Sequence, residues 1–234
     1  MKLLALETAT EACSVALYVD GKVLERFEIA PRRHAELTLP WAEQLLAEAG
    51  IARAQLDAIA LGRGPGAFTG VRLAIAIAQG IALALNRPLL PVSTLQTLAM
   101  RAPAEATHAL ACIDARMGEV YAARCVRDAD GVMQVQGSEV VIAPDALQLP
   151  DDGSEWAGVG TGFAAADGLL ATRLQPRLSS VDAQALPCAA DVLKIAVPAF
   201  RRGEGIAPEL VQPAYLRDNV ALTLVEQQAL RASR

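Results

Sequence analysis

Glu7 and Asp114 are the two acidic residues that could act together in chemistry, because each follows an apolar, strand-like run. Residues 3–6 precede Glu7, and residues 109–113 precede Asp114. Two carboxylates that face each other across a cleft can hold magnesium for phosphoryl transfer. Each carboxylate could equally cap the end of its own strand, and the sequence leaves both interpretations open.

The other residue types that commonly do chemistry form no recognisable pattern. The only two histidines, His34 and His108, have no second metal-type ligand at a useful spacing. The chain has no Gly-x-Ser-x-Gly motif of a serine nucleophile. The four cysteines are widely spaced, and three of them lie in apolar runs where a cysteine is usually a small core residue. These four are Cys13, Cys112, Cys125 and Cys188. The sequence therefore offers no convincing active site.

The stretch from Gly62 to Arg72 contains four glycines and one proline and precedes a long helical run. This composition predicts a sharp strand-to-helix elbow, with glycines where the backbone needs unusual angles or close approach. The free N–H groups of such an elbow can hold a phosphate. The stretch lacks the Gly-Lys-Ser/Thr ending of a P-loop, so we favour a packing role over a phosphate site.

Composition and charge limit the classes of function. The chain has 234 residues, of which 53% are hydrophobic and 4% aromatic, and its net charge is -5. A protein that grips RNA alone usually carries a basic surface, so we expect any contact with nucleic acid to run through a partner. Glu7 comes too early for a signal peptide, and the longest apolar run, residues 73–85, is too short to span a bilayer. We expect a cytoplasmic protein that makes no contact with a membrane.

The pattern of apolar residues predicts an alternation of strands and helices in the first half of the chain. Residues 20 and 21, Asp-Gly, mark a hairpin turn. Pro40 either kinks the first helix or marks a late start for it. We expect strands at residues 3–6, 14–19, 22–29, 57–61 and 88–92, and helices at about residues 34–49, 68–85 and 93–101.

The second half repeats the opening order of strand, acidic residue, strand, Asp-Gly turn and strand. The repeat indicates a duplicated unit, with a boundary near Pro103. We therefore expect an N-terminal subdomain of residues 1–103 that carries the partner-binding helices, and a C-terminal subdomain of residues 104–234. The predicted strands are residues 109–113, 119–126, 132–137 and 156–159, and the helices about 164–171, 183–200 and 221–231. The last of these helices can pack back on the first subdomain.

The helix predicted at residues 68–85 is apolar on almost every side, which indicates that both of its faces are covered. It and the helix at residues 34–49 could simply cover one another, or they could form a subunit interface. If one side packs on the sheet, Arg72, Ala76, Gln79 and Leu83 share an outward stripe. The residues predicted to contact a partner are His34, Thr38, Trp41, Leu45, Arg72, Ile75, Ala76, Gln79 and Leu83.

Three segments resemble the TsaB (YeaZ) family. They read LALETAT at residues 4–10, CSVAL at residues 13–17 and GPGAFTGVR at residues 64–72. The third is the most specific for this family. The resemblance implies an α/β protein with a duplicated actin-like ATPase (ribonuclease H-like) fold in two subdomains. It also implies a role in bacterial tRNA modification.

In more detail, the resemblance implies a non-catalytic subunit required, with TsaD and TsaE, to transfer threonylcarbamoyl to the adenosine beside the anticodon. The tRNAs concerned read codons that begin with adenine. The expected partners are TsaD in a heterodimer, TsaE in the larger complex, and a second copy when the chain is alone; tRNA is reached only through the complex. The catalytic relative TsaD follows its fifth strand with a His-x-x-x-His metal pair, and this chain has Thr94 and Leu98 there.

The alternative is an autonomous enzyme of the same fold, an ATP-dependent phosphotransferase that uses Glu7 or Asp114 with magnesium. Kinases of this fold carry small residues in the turn after the first strand, where this chain has Glu11. A carboxylate there repels a triphosphate, which favours the non-catalytic subunit. We expect no cofactor, and a nucleotide at most in the complex with TsaD and TsaE.

Overall fold

The computed structural model describes residues 1–217, which form two β-sheets with helices packed against them. The elements of the first half are β1 (Lys2–Glu7), β2 (Ala12–Val19), β3 (Lys22–Ile29), α1 (His34–Glu48), β4 (Ala58–Gly62), α2 (Phe68–Leu85), β5 (Leu89–Val92) and α3 (Thr94–Ala99). Those of the second half are β6 (His108–Arg116), β7 (Glu119–Arg127), β8 (Met133–Val135), β9 (Val140–Ile142), β10 (Trp156–Val159), α4 (Leu169–Leu174), β11 (Leu178–Asp182) and α5 (Ala189–Arg201).

The two sheets have the same topology. In the first, β1, β2 and β3 form an antiparallel meander, and β4 and β5 extend it in parallel beyond β1. In the second, β6, β7 and β8 form the meander, and β10 and β11 extend it in parallel beyond β6. The predicted duplication is therefore confirmed, and the fold is the two-subdomain α/β fold of the actin-like ATPases.

The central strand β1 is apolar on both sides because helices cover both faces of the first sheet. Leu4 and Leu6 point into a core shared with α1 and α2. Leu3 and Ala5 point the other way, into a core shared with α5. In the second sheet, α3 covers one face and α4 the other. This layering directs the inner side of α2 towards the first sheet and leaves its opposite side outward.

Helix α5 belongs to the second half by sequence but packs on the first sheet. Val192, Leu193 and Ala196 lie in one core cluster with residues of β1, β4 and β5. The predicted boundary at residues 103 and 104 stays a prediction. A fragment that ends there would lack α5, which covers one face of its sheet.

Several predicted element boundaries are wrong for identifiable reasons. The helix predicted at residues 164–171 begins only at Leu169, as α4, because Ala166, Asp167 and Gly168 have positive φ angles of 49°, 55° and 75°. The helix predicted from residue 183 begins only at Ala189, two residues after Pro187, a residue type that disfavours helical backbone before it. The sequence did not predict β9, which has only three residues, or β11, which is largely exposed and therefore lacks a continuous apolar run. The helix predicted at residues 221–231 lies outside the described residues.

The position of Pro40 in α1 and the length of α2 settle two questions that the sequence raised. Pro40 lies inside α1, so it does not mark a late start of the helix. Helix α2 starts at Phe68, which makes it long and apolar enough to span a membrane by length and composition, although core helices of soluble proteins pass the same test. Its inner residues Ala74, Ala78 and Ala82 are fully buried within the protein, and 33% of the helix is buried in total.

The position of α5 leads to a test of the domain boundary. We expect residues 1–103 expressed alone to be insoluble, or to unfold without a cooperative transition, because the sheet face around Leu3, Leu90 and Val92 would be exposed to water. Soluble yield and thermal melting by circular dichroism measure this, with the full chain as reference. A soluble fragment with a sharp melting transition would show that α5 is dispensable for the first subdomain.

Candidate functional site

Glu7, the first candidate for chemistry, is fully buried at the end of β1. One of its carboxylate oxygens accepts a hydrogen bond from the backbone N–H of Ala9 at 2.8 Å. The other accepts one from the Thr94 hydroxyl at 3.2 Å. Burial raises the pKa of Glu7 to about 7, against the opposing effect of these hydrogen bonds. The carboxyl group therefore ties the end of β1 to the start of α3 inside the protein.

The glycine elbow packs directly on the backbone that follows Glu7. The N–H of Ala67, at the start of α2, donates to the carbonyl oxygen of Ala9 at 2.7 Å. The hydroxyl of Thr8 donates to the carbonyl oxygen of Gly70 at 2.7 Å. A Cβ atom at Gly66 or Gly70 would lie well inside van der Waals contact with the carbonyls of Ala9 and Thr8. These contacts support the packing role, because the chain itself occupies the space in front of the elbow.

Asp114 does not meet Glu7. It lies at the rim of a cleft between the two halves, where its carboxylate accepts hydrogen bonds from the backbone N–H and the guanidinium of Arg116 at 2.8 and 2.9 Å. Glu7 lies beneath the surface and does not line this cleft. The suggested magnesium pair of Glu7 and Asp114 is therefore not formed, and Asp114 instead caps its hairpin. Among residues 1–217, no three His, Cys, Asp or Glu side chains group as metal ligands.

The cleft has a volume of about 1140 Å³. Glu11 is exposed within it, in the turn between β1 and β2. The side chain of His34 also reaches the cleft, but its Nε2 atom lies 2.9 Å from the carbonyl oxygen of Thr10 and so is tied to the same turn. Charged side chains from both halves line the cleft, namely Glu11, Arg32, Arg72, Asp114, Arg116 and Arg217.

Thr94 and Leu98, which the resemblance places where TsaD is expected to have its metal pair, serve packing. Both are fully buried. The hydroxyl of Thr94 donates to Glu7 and accepts from the backbone N–H of Gly64 at 3.2 Å. Leu98 lies in the core between α3 and the second sheet. A metal pair at this place would have to replace part of the hydrophobic core.

The outward stripe of α2 is where the sequence placed it. Arg72, Ala76 and Leu83 are exposed, and Leu83 keeps 67% of its surface accessible. Gln79 lies at the edge of the stripe and is half-buried, because its side-chain amide donates to the carbonyl oxygen of Pro208 at 2.8 Å. Gly80 lies on the same side and is exposed. We refer to Arg72, Ala76, Gly80 and Leu83 as the α2 surface.

Three of the predicted contact residues are buried and must be corrected. The hydroxyl of Thr38 donates to the carbonyl oxygen of His34 at 2.6 Å, inside α1. Leu45 and Ile75 pack in the core between α1, α2 and the sheet. These three residues lie beneath the protein surface, so they cannot contact a partner. His34 and Trp41 are half-buried.

Sequence reasoning missed an aromatic cluster at the first turn of α2. Phe68 is 59% exposed and stacks on Tyr215, with ring centroids 6.1 Å apart. The guanidinium of Arg72 lies 3.6 Å from the centre of the Phe68 ring, and its Nε donates to the Tyr215 hydroxyl at 2.6 Å. The motif at residues 64–72 draws attention to Phe68, but no local signal places Tyr215 there.

Comparison with known proteins gives consistent matches over most of the chain. The family model of TsaD, tRNA N6-adenosine threonylcarbamoyltransferase, matches residues 27–224. The chain is 44% identical over 226 residues to the tRNA threonylcarbamoyladenosine biosynthesis protein TsaB of Escherichia coli, covering 94% of this chain and 96% of that protein. It is 38% identical over 231 residues to TsaB of Haemophilus influenzae, covering 94% and 95%. The solved structure of YeaZ from Pseudomonas aeruginosa superposes with a TM-score of 0.83 at 47% identity, covering 92% and 99%.

The elbow contacts predict opposite effects for two glycine substitutions in the same helix. Gly70→Ala should lower the free energy of unfolding by about 3 kcal/mol or more, because its methyl group would overlap the carbonyl of Thr8. Gly80→Ala should raise it by about 0.5–1 kcal/mol, because no atom lies within 4 Å of the new methyl group. Urea unfolding of both variants measures the difference. Equal effects would contradict the close packing of the elbow.

Burial of Glu7 predicts a pH dependence of stability. Between the unfolded pKa of 4.5 and the folded pKa of about 7, the folded state binds more protons than the unfolded state. Stability should therefore fall as the pH rises through this window, by about 3 kcal/mol for this group. Urea unfolding of the original protein and of Glu7→Gln at pH 5 to 8 measures it. As the pH rises from 5 to 8, the free energy of unfolding of the original protein should fall relative to that of Glu7→Gln. Parallel curves for the two proteins would show that Glu7 does not titrate this way.

Proposed function

The chain belongs to the TsaB family of tRNA threonylcarbamoyladenosine biosynthesis proteins, and we propose that it is the non-catalytic subunit that works with TsaD and TsaE. In this role it enables transfer of threonylcarbamoyl to the adenosine beside the anticodon, in tRNAs that read codons beginning with adenine. TsaD carries the chemistry, and this chain supplies a surface to which TsaD binds.

The observation that carries the proposal is the α2 surface. It presents Leu83 and the small residues Ala76 and Gly80 outward, on a helix whose inner side is already used by the first sheet. A row of small and apolar residues lets another helix approach closely, and association would remove that surface from water.

The partner proposed for this surface is TsaD. The match of the TsaD family model over residues 27–224 indicates that the two proteins share one fold. Two subunits of one fold can meet through equivalent helices about an approximate twofold axis, as in a homodimer. The same surface would then serve a homodimer when TsaD is absent.

Several contacts support a non-catalytic role for this chain. Thr94 and Leu98 serve packing where the resemblance places the metal pair of TsaD, and Glu7 is enclosed by Ala9 and Thr94. Glu11 places a carboxylate in the turn after β1, where it opposes a phosphate, and three of the four arginines that line the same cleft are already engaged, Arg72 with Tyr215, Arg116 with Asp114 and Arg217 with Glu119. We therefore propose that the isolated chain does not bind ATP tightly, and that a nucleotide joins at most in the complex with TsaD and TsaE.

The net charge supports an indirect contact with tRNA. A total of -5 gives the whole chain no long-range attraction for a phosphate backbone. We propose that tRNA is bound by the assembled complex in the cytoplasm, with this chain acting through its partner.

A charge placed on the α2 surface tests the proposal. Ala76→Glu or Leu83→Glu would bury an unpaired carboxylate on association, which costs about 3–5 kcal/mol and should raise the Kd for TsaD at least a hundredfold. Val181→Glu, on the exposed edge strand β11 of the second sheet, is the matched control and should bind TsaD normally. Size-exclusion co-elution and calorimetric titration with TsaD of the same organism measure binding.

Circular dichroism of each variant separates the possible results. A preserved fold with lost association supports the interface, since the new glutamate faces water in the isolated chain. Normal binding of both α2 variants to TsaD would contradict the proposed surface, and unfolding of both would show that the stripe is part of the core.

A further inference from the structure

Residues 208–217, called the strap below, run along α2 and then cross to the second half of the protein. The carbonyl oxygen of Pro208 accepts the side-chain amide of Gln79. Val211 is buried in the core of the first sheet. The N–H of Ala214 donates to the carbonyl oxygen of Arg63 at 2.8 Å, beside the glycine elbow. The first seven residues of the strap are thus fixed to the first half.

The last residues of the strap join the partner surface to the second half. Tyr215 is 48% exposed, and its hydroxyl accepts a hydrogen bond from Arg72, which belongs to the α2 surface. Two residues later, the guanidinium of Arg217 forms an ion pair with the carboxylate of Glu119 in β7. It also donates to the carbonyl oxygen of Arg116 at 3.4 Å, in the hairpin between β6 and β7. Residues 215–217 therefore contact both the α2 surface and the second half's side of the cleft.

The ion pair of Arg217 and Glu119 can contribute more than an ordinary surface pair. The side chain of Arg217 is largely buried and that of Glu119 is partly buried, so water screens their attraction less. Other polar links between the halves lie elsewhere. The Glu139 carboxylate accepts hydrogen bonds from Arg63 and Ser93, and the side-chain amide of Gln96 donates to the carbonyl oxygen of Met133. Arg217 differs from these other links because it lies two residues from Tyr215, which contacts the α2 surface through Arg72.

We infer that the strap couples the α2 surface to the position of the second half. A partner that covers Arg72 also meets Phe68 and Tyr215, because the three side chains are stacked in one cluster. Such a partner favours the docked strap, and the docked strap holds the hairpin of the second half through Arg217. Linkage makes this effect reciprocal. If partner binding shifts the equilibrium towards the docked strap by a given factor, undocking the strap lowers the partner's affinity by that same factor. This inference rests on the proposed function, since TsaD is the partner used to test it.

The first arm of the test measures affinity for TsaD by calorimetric titration. Arg217→Ala and Glu119→Gln should each raise the Kd at least threefold, although Glu119 lies in the second half. The double variant should be no weaker than the worse single variant, because both remove one ion pair. Arg202→Ala, which removes an exposed ion pair with Glu204 elsewhere on the protein, should leave the Kd unchanged.

The second arm measures the distance between the two halves in the isolated chain. Spin labels at Gln44→Cys in α1 and Thr172→Cys in α4 occupy exposed positions, while the four native cysteines are buried. Arg217→Ala should broaden the distance distribution by pulsed electron paramagnetic resonance. Addition of TsaD to the otherwise unchanged labelled chain should narrow it.

Three results would count against these ideas in distinguishable ways. If the variants bind TsaD as tightly as the original chain, the coupling is wrong and the proposed function stands. If Arg217→Ala leaves the distance distribution unchanged, the strap does not hold the second half. If the original chain does not bind TsaD at all, the proposed function fails, and the coupling to TsaD fails with it.

Discussion

The contact between the glycine elbow and the backbone after β1 is the constraint on which the structure depends. The carbonyls of Thr8 and Ala9 lie where side chains of residues 66 and 70 would otherwise stand, and the start of α2 is hydrogen-bonded to Ala9. This contact fixes where α2 begins and how it is rotated about its axis. Once Ala74, Ala78 and Ala82 face the sheet, the opposite stripe must face outward. The proposed partner surface is therefore a geometric consequence of how the elbow packs.

The same constraint explains why Glu7 and Thr94 serve packing in this protein. Glu7 is enclosed by the elbow and by Thr94, and burial raises its pKa to about 7. Thr94 in turn links Glu7 to the backbone of Gly64. A catalytic metal at this place would require ligands and an open path, and packed side chains fill the space instead. This packing supports the proposed division of labour, in which TsaD reacts and this chain assists it.

The repeated topology and most strands of the first half could be predicted from the sequence, because alternating apolar residues and Asp-Gly turns are local signals. The helical period alone predicts that Arg72, Ala76 and Leu83 share one side of α2, and their outward direction followed only from the assumption that the other side packs on the sheet. The burial of Thr38 and Leu45 in α1 could not, because periodicity groups residues without saying which group faces the sheet. The packing of α5 on the first sheet and of Tyr215 on Phe68 depends on contacts more than 100 residues apart in sequence, for which no local pattern exists.

The central claim is that this chain supports a reaction that TsaD carries out. Its most direct test is a reconstituted reaction with purified TsaD and TsaE, tRNA and threonylcarbamoyl-adenylate, in which modified adenosine is quantified by mass spectrometry of the digested tRNA. The account predicts that product forms only when this chain and TsaD are both present, and that this chain without TsaD yields none. Product formed by this chain alone, or undiminished product when it is omitted, would contradict the account.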